Sequence, residues 1–137
     1  MRRVSNYVSS SFARRLADLD VTVAEWVVLR QMYGHEETTS PGAVAELVGL
    51  TRSAVSKLVD RLLEKGLVMR RPSRSDRRYQ EIELTPAAIK LVPRLSDAAD
   101  ENDEAIFGVL SPSERGTLLR ILKKAAAFHN LTRTPIE

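Results

Sequence analysis

Cysteine is absent from this chain of 137 residues. Disulfides, thiolate metal sites and thiol redox sensing are excluded with it. Aromatic side chains are scarce, at 5% of the chain with a single tryptophan. That leaves no aromatic platform of the kind by which a sheet stacks single-stranded RNA. Only two histidines occur, His35 and His129, and neither sits in a short ligand motif, so no metal or other cofactor is expected. No apolar run approaches the roughly 20 residues of a membrane-spanning helix. The N-terminus has arginines but no continuous apolar stretch, unlike a secretory signal, and a cytoplasmic protein is expected. Phosphate-cradling, dinucleotide and zinc-protease motifs are missing, as is the G-x-S-x-G frame of a nucleophilic serine. Catalysis is not expected.

What is present is a patterned distribution of charge. The net charge is only +3, but the signs are sorted along the chain. Nine basic and three acidic residues lie between Thr51 and Arg78, a local net of +6. Asp97–Glu104 carries five acids and no base. Such sorting suits a protein that turns one region toward a polyanion and keeps another away from it.

The basic region begins with an amphipathic segment. Val55, Leu58, Val59, Leu62 and Leu63 fall on one face of a 3.6-residue period. Arg52, Ser53, Ser56, Lys57 and Arg61 fall on the other. Gly66 ends the segment, as glycine does in the left-handed conformation past a helix. Two β-type runs follow, Leu67–Arg71 and Tyr79–Leu84, joined by an arginine-rich PSRSDRR. A helix with a basic, hydroxyl-rich face followed by a hairpin with an arginine-loaded tip suits a recognition helix in a DNA major groove and a wing at the neighbouring minor groove.

Helix starts are well marked elsewhere. Thr22/Glu25 and Ser111/Glu114 have capping-box spacing. Ser40-Pro41 and Thr85-Pro86 pair a hydroxyl cap with proline at the first helical position, and Thr51 is a further cap. These signals predict helices over Arg3–Leu19, Val23–Tyr33, Pro41–Val48, Arg52–Lys65, Pro86–Val109 and Pro112–His129, with Pro93 kinking the fifth. Gly34 and Gly49 suit helix ends, and Gly49-Leu50-Thr51 is short enough for a helix-turn-helix. Residues 35–39 are expected to add a short strand to the wing. The fold class is mainly α with a small β-wing. Its element order is helix, helix, strand, helix, helix, strand, strand, helix, helix.

Two lobes are expected. Residues 22–85 close a winged helix-turn-helix core with Val23, Trp26, Leu29, Val44, Leu47, Val55, Leu58, Val59, Leu62 and Leu67. Residues 1–21 and 86–129 form a helical lobe with apolar residues to spare, among them Val4, Tyr7, Val8, Phe12, Leu16, Ile106, Phe107, Leu118, Leu119, Ile121, Leu122 and Phe128. These helices either fold back on their own lobe or pair with a second copy. A closed two-fold homodimer is the expected arrangement.

Three stretches carry a family resemblance: LDVTVAEWVVLRQM, then AVAELVGLTRSAVSKLVDRLLEKGLVMRRPSRSDRRYQEIELTPAA, then LSPSERGTLLRILKKA. Together they resemble the MarR family of bacterial transcriptional regulators over roughly Val4 to Ala127, with Ala88 standing where the family commonly has glycine. The resemblance implies a dimeric, sequence-specific DNA-binding regulator, a repressor controlled either by small aromatic acids or phenols or by its abundance alone. It implies that Thr51, Arg52, Ser53, Ser56, Lys57 and Arg61 meet the major groove and its flanking phosphates. Arg78 would enter the minor groove, Asp76 would hold that arginine, and Arg74 and Arg77 would bind phosphate. An effector cleft between the dimerisation helices and the winged lobe would draw on Tyr7, Ser11, Arg15, Trp26 and Arg30. Arg15 would face a carboxylate ligand, or else Asp18 or Glu25. The alternative is a winged-helix module that binds another protein and does not read DNA.

Overall fold

The structure is a computed structural model, and it describes residues 1–34, 39–73, 76, 78 and 80–131. Six helices and one hairpin follow in the order α1 (Arg2–Ala17), α2 (Val23–Tyr33), α3 (Pro41–Val48), α4 (Arg52–Glu64), β1 (Val68–Pro72), β2 (Gln80–Leu84), α5 (Pro86–Phe107) and α6 (Pro112–Phe128).

The capping residues act where their spacing placed them. Thr22 and Glu25 form a reciprocal capping box, as do Ser111 and Glu114. The hydroxyls of Ser40, Thr51 and Thr85 each accept an N–H from the third residue onward. Each bond satisfies one of the N–H groups that a helix start leaves without a partner. Gly49 and Gly66 take positive φ of 75° and 71°, where a β-carbon is strained. Gly34 caps α2 in the right-handed region instead.

Helix α1 stops two residues before its expected end. Asp20 takes φ 57°, and the amides of Leu19 and Val21 both turn back to the Leu16 carbonyl. The helical pattern persists to Leu19, but the chain has already reversed toward the Thr22 cap. Helix α5 runs past Pro93, which withholds one N–H from the Ile89 carbonyl.

The wing strands are antiparallel, pairing Val68 with Leu84 and Arg70 with Ile82. Of the expected extra strand, residues 35–38 lie outside the described residues. Thr39 makes an isolated antiparallel bridge to Ile82, with both N–H···O bonds present. Ile82 is thus flanked by backbone on both sides and is fully buried.

A single core runs through both expected lobes. Val28, Leu29, Val44, Val55, Val59 and Leu62 join Leu16 of α1 and Val92 and Leu95 of α5 in one buried cluster. At its centre lies α2, in contact with α1, α3, α4, α5 and β2. Leu47 is a correction: it is 49% exposed. On the eight-residue α3 the buried stripe is Val44, Ala45 and Val48, and Leu47 stands beside it. Helix α6 contributes no buried residue, and Leu119, Ile121, Leu122 and Phe128 are exposed.

Candidate nucleic-acid interface

Helix α4 divides as its periodicity requires. Val55, Leu58, Val59 and Leu62 are buried, while Arg52, Ser53, Ser56, Lys57 and Arg61 face outward on one exposed side. Thr51 is exposed at the start and fixes the first turn by accepting the Ala54 N–H at 3.1 Å. Arg52 lies across Gly42 of α3, where a β-carbon would come within 3.4 Å of its Nε.

The wing tip is organised by Asp76. Its Oδ1 accepts the backbone N–H of Arg78 at 3.0 Å and the Nε at 3.2 Å, and its Oδ2 accepts Nη2 at 3.0 Å. The carboxylate therefore grips both the backbone and the guanidinium of one residue. These bonds, the side-chain one foremost, hold the Asp76 carboxyl below its ordinary pKa. Arg78 remains 86% exposed, so it is oriented and still available. Arg74 and Arg77 lie outside the described residues.

Several basic residues of this region are already engaged within the chain. Arg70 reaches Asp60 of α4 at 2.8 Å, and Arg71 reaches Glu83 across the hairpin at 2.7 Å. Lys65 turns inward to Glu25 at 2.8 Å. Arg52, Lys57 and Arg61 form no ion pair among the described residues. The cations left facing outward are thus those of the α4 outer face and the wing tip.

A cleft of about 250 Å³ opens where α1, α2 and α5 meet. Val8 and Phe12 of α1 line it, with Val23, Trp26, Val27 and Arg30 of α2 and Asn102 and Asp103 of α5. Asn102 is 2% exposed. Its Nδ2 donates to the Val8 carbonyl at 3.4 Å, and its Oδ1 has no hydrogen-bond partner among the described residues. The Val8 carbonyl only accepts, so the amide orientation is fixed by donor–acceptor chemistry.

The MarR family model matches residues 19–78. A putative transcriptional regulatory protein for the hcr operon of Thauera aromatica is 30% identical over 124 residues, covering 90% of this chain and 75% of that protein. The chain belongs to the MarR family.

Solved structures agree with that membership over nearly the whole length. MepR of Staphylococcus aureus in complex with DNA is 26% identical, with a TM-score of 0.76 over 92% of this MarR-family chain and 93% of MepR. BpsR of Bordetella bronchiseptica, whose DNA binding is regulated by 6-hydroxynicotinic acid, is also 26% identical. Its TM-score is 0.74 over 91% of this chain and 89% of its own.

Of the five expected cleft residues, the fold brings together Trp26 and Arg30. Tyr7 is exposed on α1, and Ser11 is not among the residues that line the cleft. Arg15 turns to Glu101 of α5 at 3.5 Å, neither to Asp18 nor to Glu25. Sequence reasoning missed Asn102, which sits inside the acidic run of α5 and carries no local signal of burial. It also missed the partnership of Glu25 with Lys65. Glu25 read as a helix cap and Lys65 as one cation among nine, and no local period links residues 40 positions apart.

Proposed function

We propose that this MarR-family regulator is a repressor that binds an inverted-repeat operator as a two-fold homodimer. A small aromatic acid or phenol in the α1–α2–α5 cleft would release it. The observation that carries this reading is the coincidence of two outward-facing groups. These are the basic, hydroxyl-rich face of α4, without an ion pair among the described residues, and a wing-tip arginine held in place by its own aspartate.

In this reading Ser56 and Lys57 reach base edges from the middle of α4. Arg52 and Arg61 flank them toward phosphates, with Thr51 and Ser53 at the helix start. Arg78 enters the minor groove, where a narrow A·T-rich segment concentrates negative potential, and Arg74 and Arg77 add phosphate contacts. Residues 22–85 act as the DNA-binding lobe, and 1–21 with 86–129 as the dimerisation lobe. The exposed apolar face of α6 supports pairing with a second copy.

The cleft chemistry supports an effector that is apolar in body and polar at its ends. Trp26, Phe12, Val8 and Val27 would pack an aromatic ring, Arg30 would meet a carboxylate, and the orphan Asn102 Oδ1 would accept from a hydroxyl or ring N–H. Selection from random duplexes tests the main claim. The dimer should enrich an inverted repeat of about 16–20 base pairs, with recognition helices roughly 34–36 Å apart. Failure to enrich any duplex would favour a protein-binding module.

A further inference from the structure

Behind the recognition helix, Lys65 reaches from the surface to the buried carboxylate of Glu25. Glu25 is 1% exposed, and its Oε2 accepts the Lys65 Nζ at 2.8 Å and the Thr22 amide at 3.2 Å. The same ammonium donates to the Asp20 carbonyl at 2.6 Å and lies 3.9 Å from the Asp20 carboxylate. Lys65 is the C-cap of α4, where a cation also meets the negative end of the helix dipole. Glu25 stands in the first turn of α2. One ammonium therefore ties the end of the recognition helix to the start of α2 and to the turn that leaves α1.

Helix α2 has two working faces. Val23, Trp26, Val27 and Arg30 form the stripe that lines the cleft, while Glu25 holds α4 from another side. Interdigitated apolar packing sets the general angle of α4, and the ion pair adds a directional restraint at its C-terminal end. A charge pair with hydrogen bonds has a preferred geometry, and leaving the buried Glu25 carboxylate unpaired is costly.

We propose that Glu25 and Lys65 are positioning residues for DNA recognition. They form a strut that sets α4 relative to α2 and so fixes the separation of the two recognition helices across the dimer. The proposal rests on the reading of the protein as a dimeric DNA-binding regulator. Neither residue contacts DNA in it: Glu25 is buried, and the Lys65 ammonium is held by Glu25 and the Asp20 carbonyl.

The test uses the full chain carrying E25Q and K65M together. Removing both charges leaves no uncompensated ion, and E25Q keeps an acceptor for the Thr22 amide. Melting temperature and folded fraction should stay near wild type. Affinity for the selected operator should nevertheless fall about fivefold to tenfold, a typical size for coupling through a packed network. In selections with randomised half-site spacing, the single spacing preferred by wild type should broaden. The slope of affinity against salt should be unchanged, because no phosphate contact is lost. K65R, which keeps the charge, should restore the wild-type spacing preference.

A folded double variant with wild-type affinity and spacing would overturn the strut, leaving the pair a stability element only. A reduced salt slope would overturn it too, by making Lys65 a direct DNA contact. Failure of the double variant to fold would likewise count against it, since the pair would then be needed for the fold itself. If wild type selects no duplex at all, the underlying regulator reading fails, an outcome distinct from these.

Discussion

Asp76 and Arg78 show how much a single residue pair can determine. With its pKa lowered by the Arg78 hydrogen bonds, the Asp76 carboxylate stays ionised throughout the neutral range. A depressed folded pKa stabilises the tip above the unfolded value of about 4 and loses that contribution as pH falls through the folded value. DNA affinity should therefore show no step from this group between about pH 5 and pH 8; a titration of operator binding in that window checks it. Asp76→Asn should weaken binding while Arg78 is still present, because the arginine loses its orientation. Arg78→Ala should weaken binding and relax preference in the A·T-rich flanks. Leu84→Ala, compared at equal folded fraction, should leave preference intact. That Asp76 would hold Arg78 came from the family resemblance, and the hydrogen bonds between the two are present. Asn102 was not legible in the sequence, since its contact with Val8 crosses 94 positions and only the assembled cleft gives it meaning.

Among the elements, α4 was the most readable, and the reason is its surroundings. Its inner face meets α2, α3 and β1, so burial follows the 3.6-residue period without interruption. Leu62→Ala should cost about 2–5 kcal/mol, as deletion of a fully buried leucine side chain does, measured by urea unfolding. Gly66→Ala should cost about 1 kcal/mol or more, since alanine is strained in the left-handed region. Short α3 was harder to read. Over eight residues two adjacent stripes fit the same pattern, and Leu47 was assigned to the wrong one. The wing was legible as a hairpin from its alternating runs and polar joint. The bridge from Thr39 to Ile82 required knowing where the α2–α3 connection passes, which no local signal states.

On the scale of the whole molecule, the exposed leucines of α6 and the central place of α2 dominate. Sedimentation at micromolar concentration should give about twice the 15.3 kDa chain mass, a consequence of two-fold pairing over the apolar face. Leu122→Asp should shift that mass toward the monomer and abolish operator binding, since a dimer contacts two half-sites. That the terminal helices had apolar residues to spare was visible in the sequence. How far α1 and α5 share one core with the winged lobe was not, because burial depends on packing between distant segments. The same holds for charge. Arg70, Arg71 and Lys65 count as cations in the sequence, yet Asp60, Glu83 and Glu25 occupy them. Each such pairing competes with a counterion-releasing contact to random DNA, whose hold on a protein comes almost wholly from such contacts. A regulator must find one site among about a million or more competing ones. Positive charge occupied within the chain should lower affinity for unrelated DNA, so Glu83→Gln, which frees Arg71, should bind a random duplex more tightly than wild type.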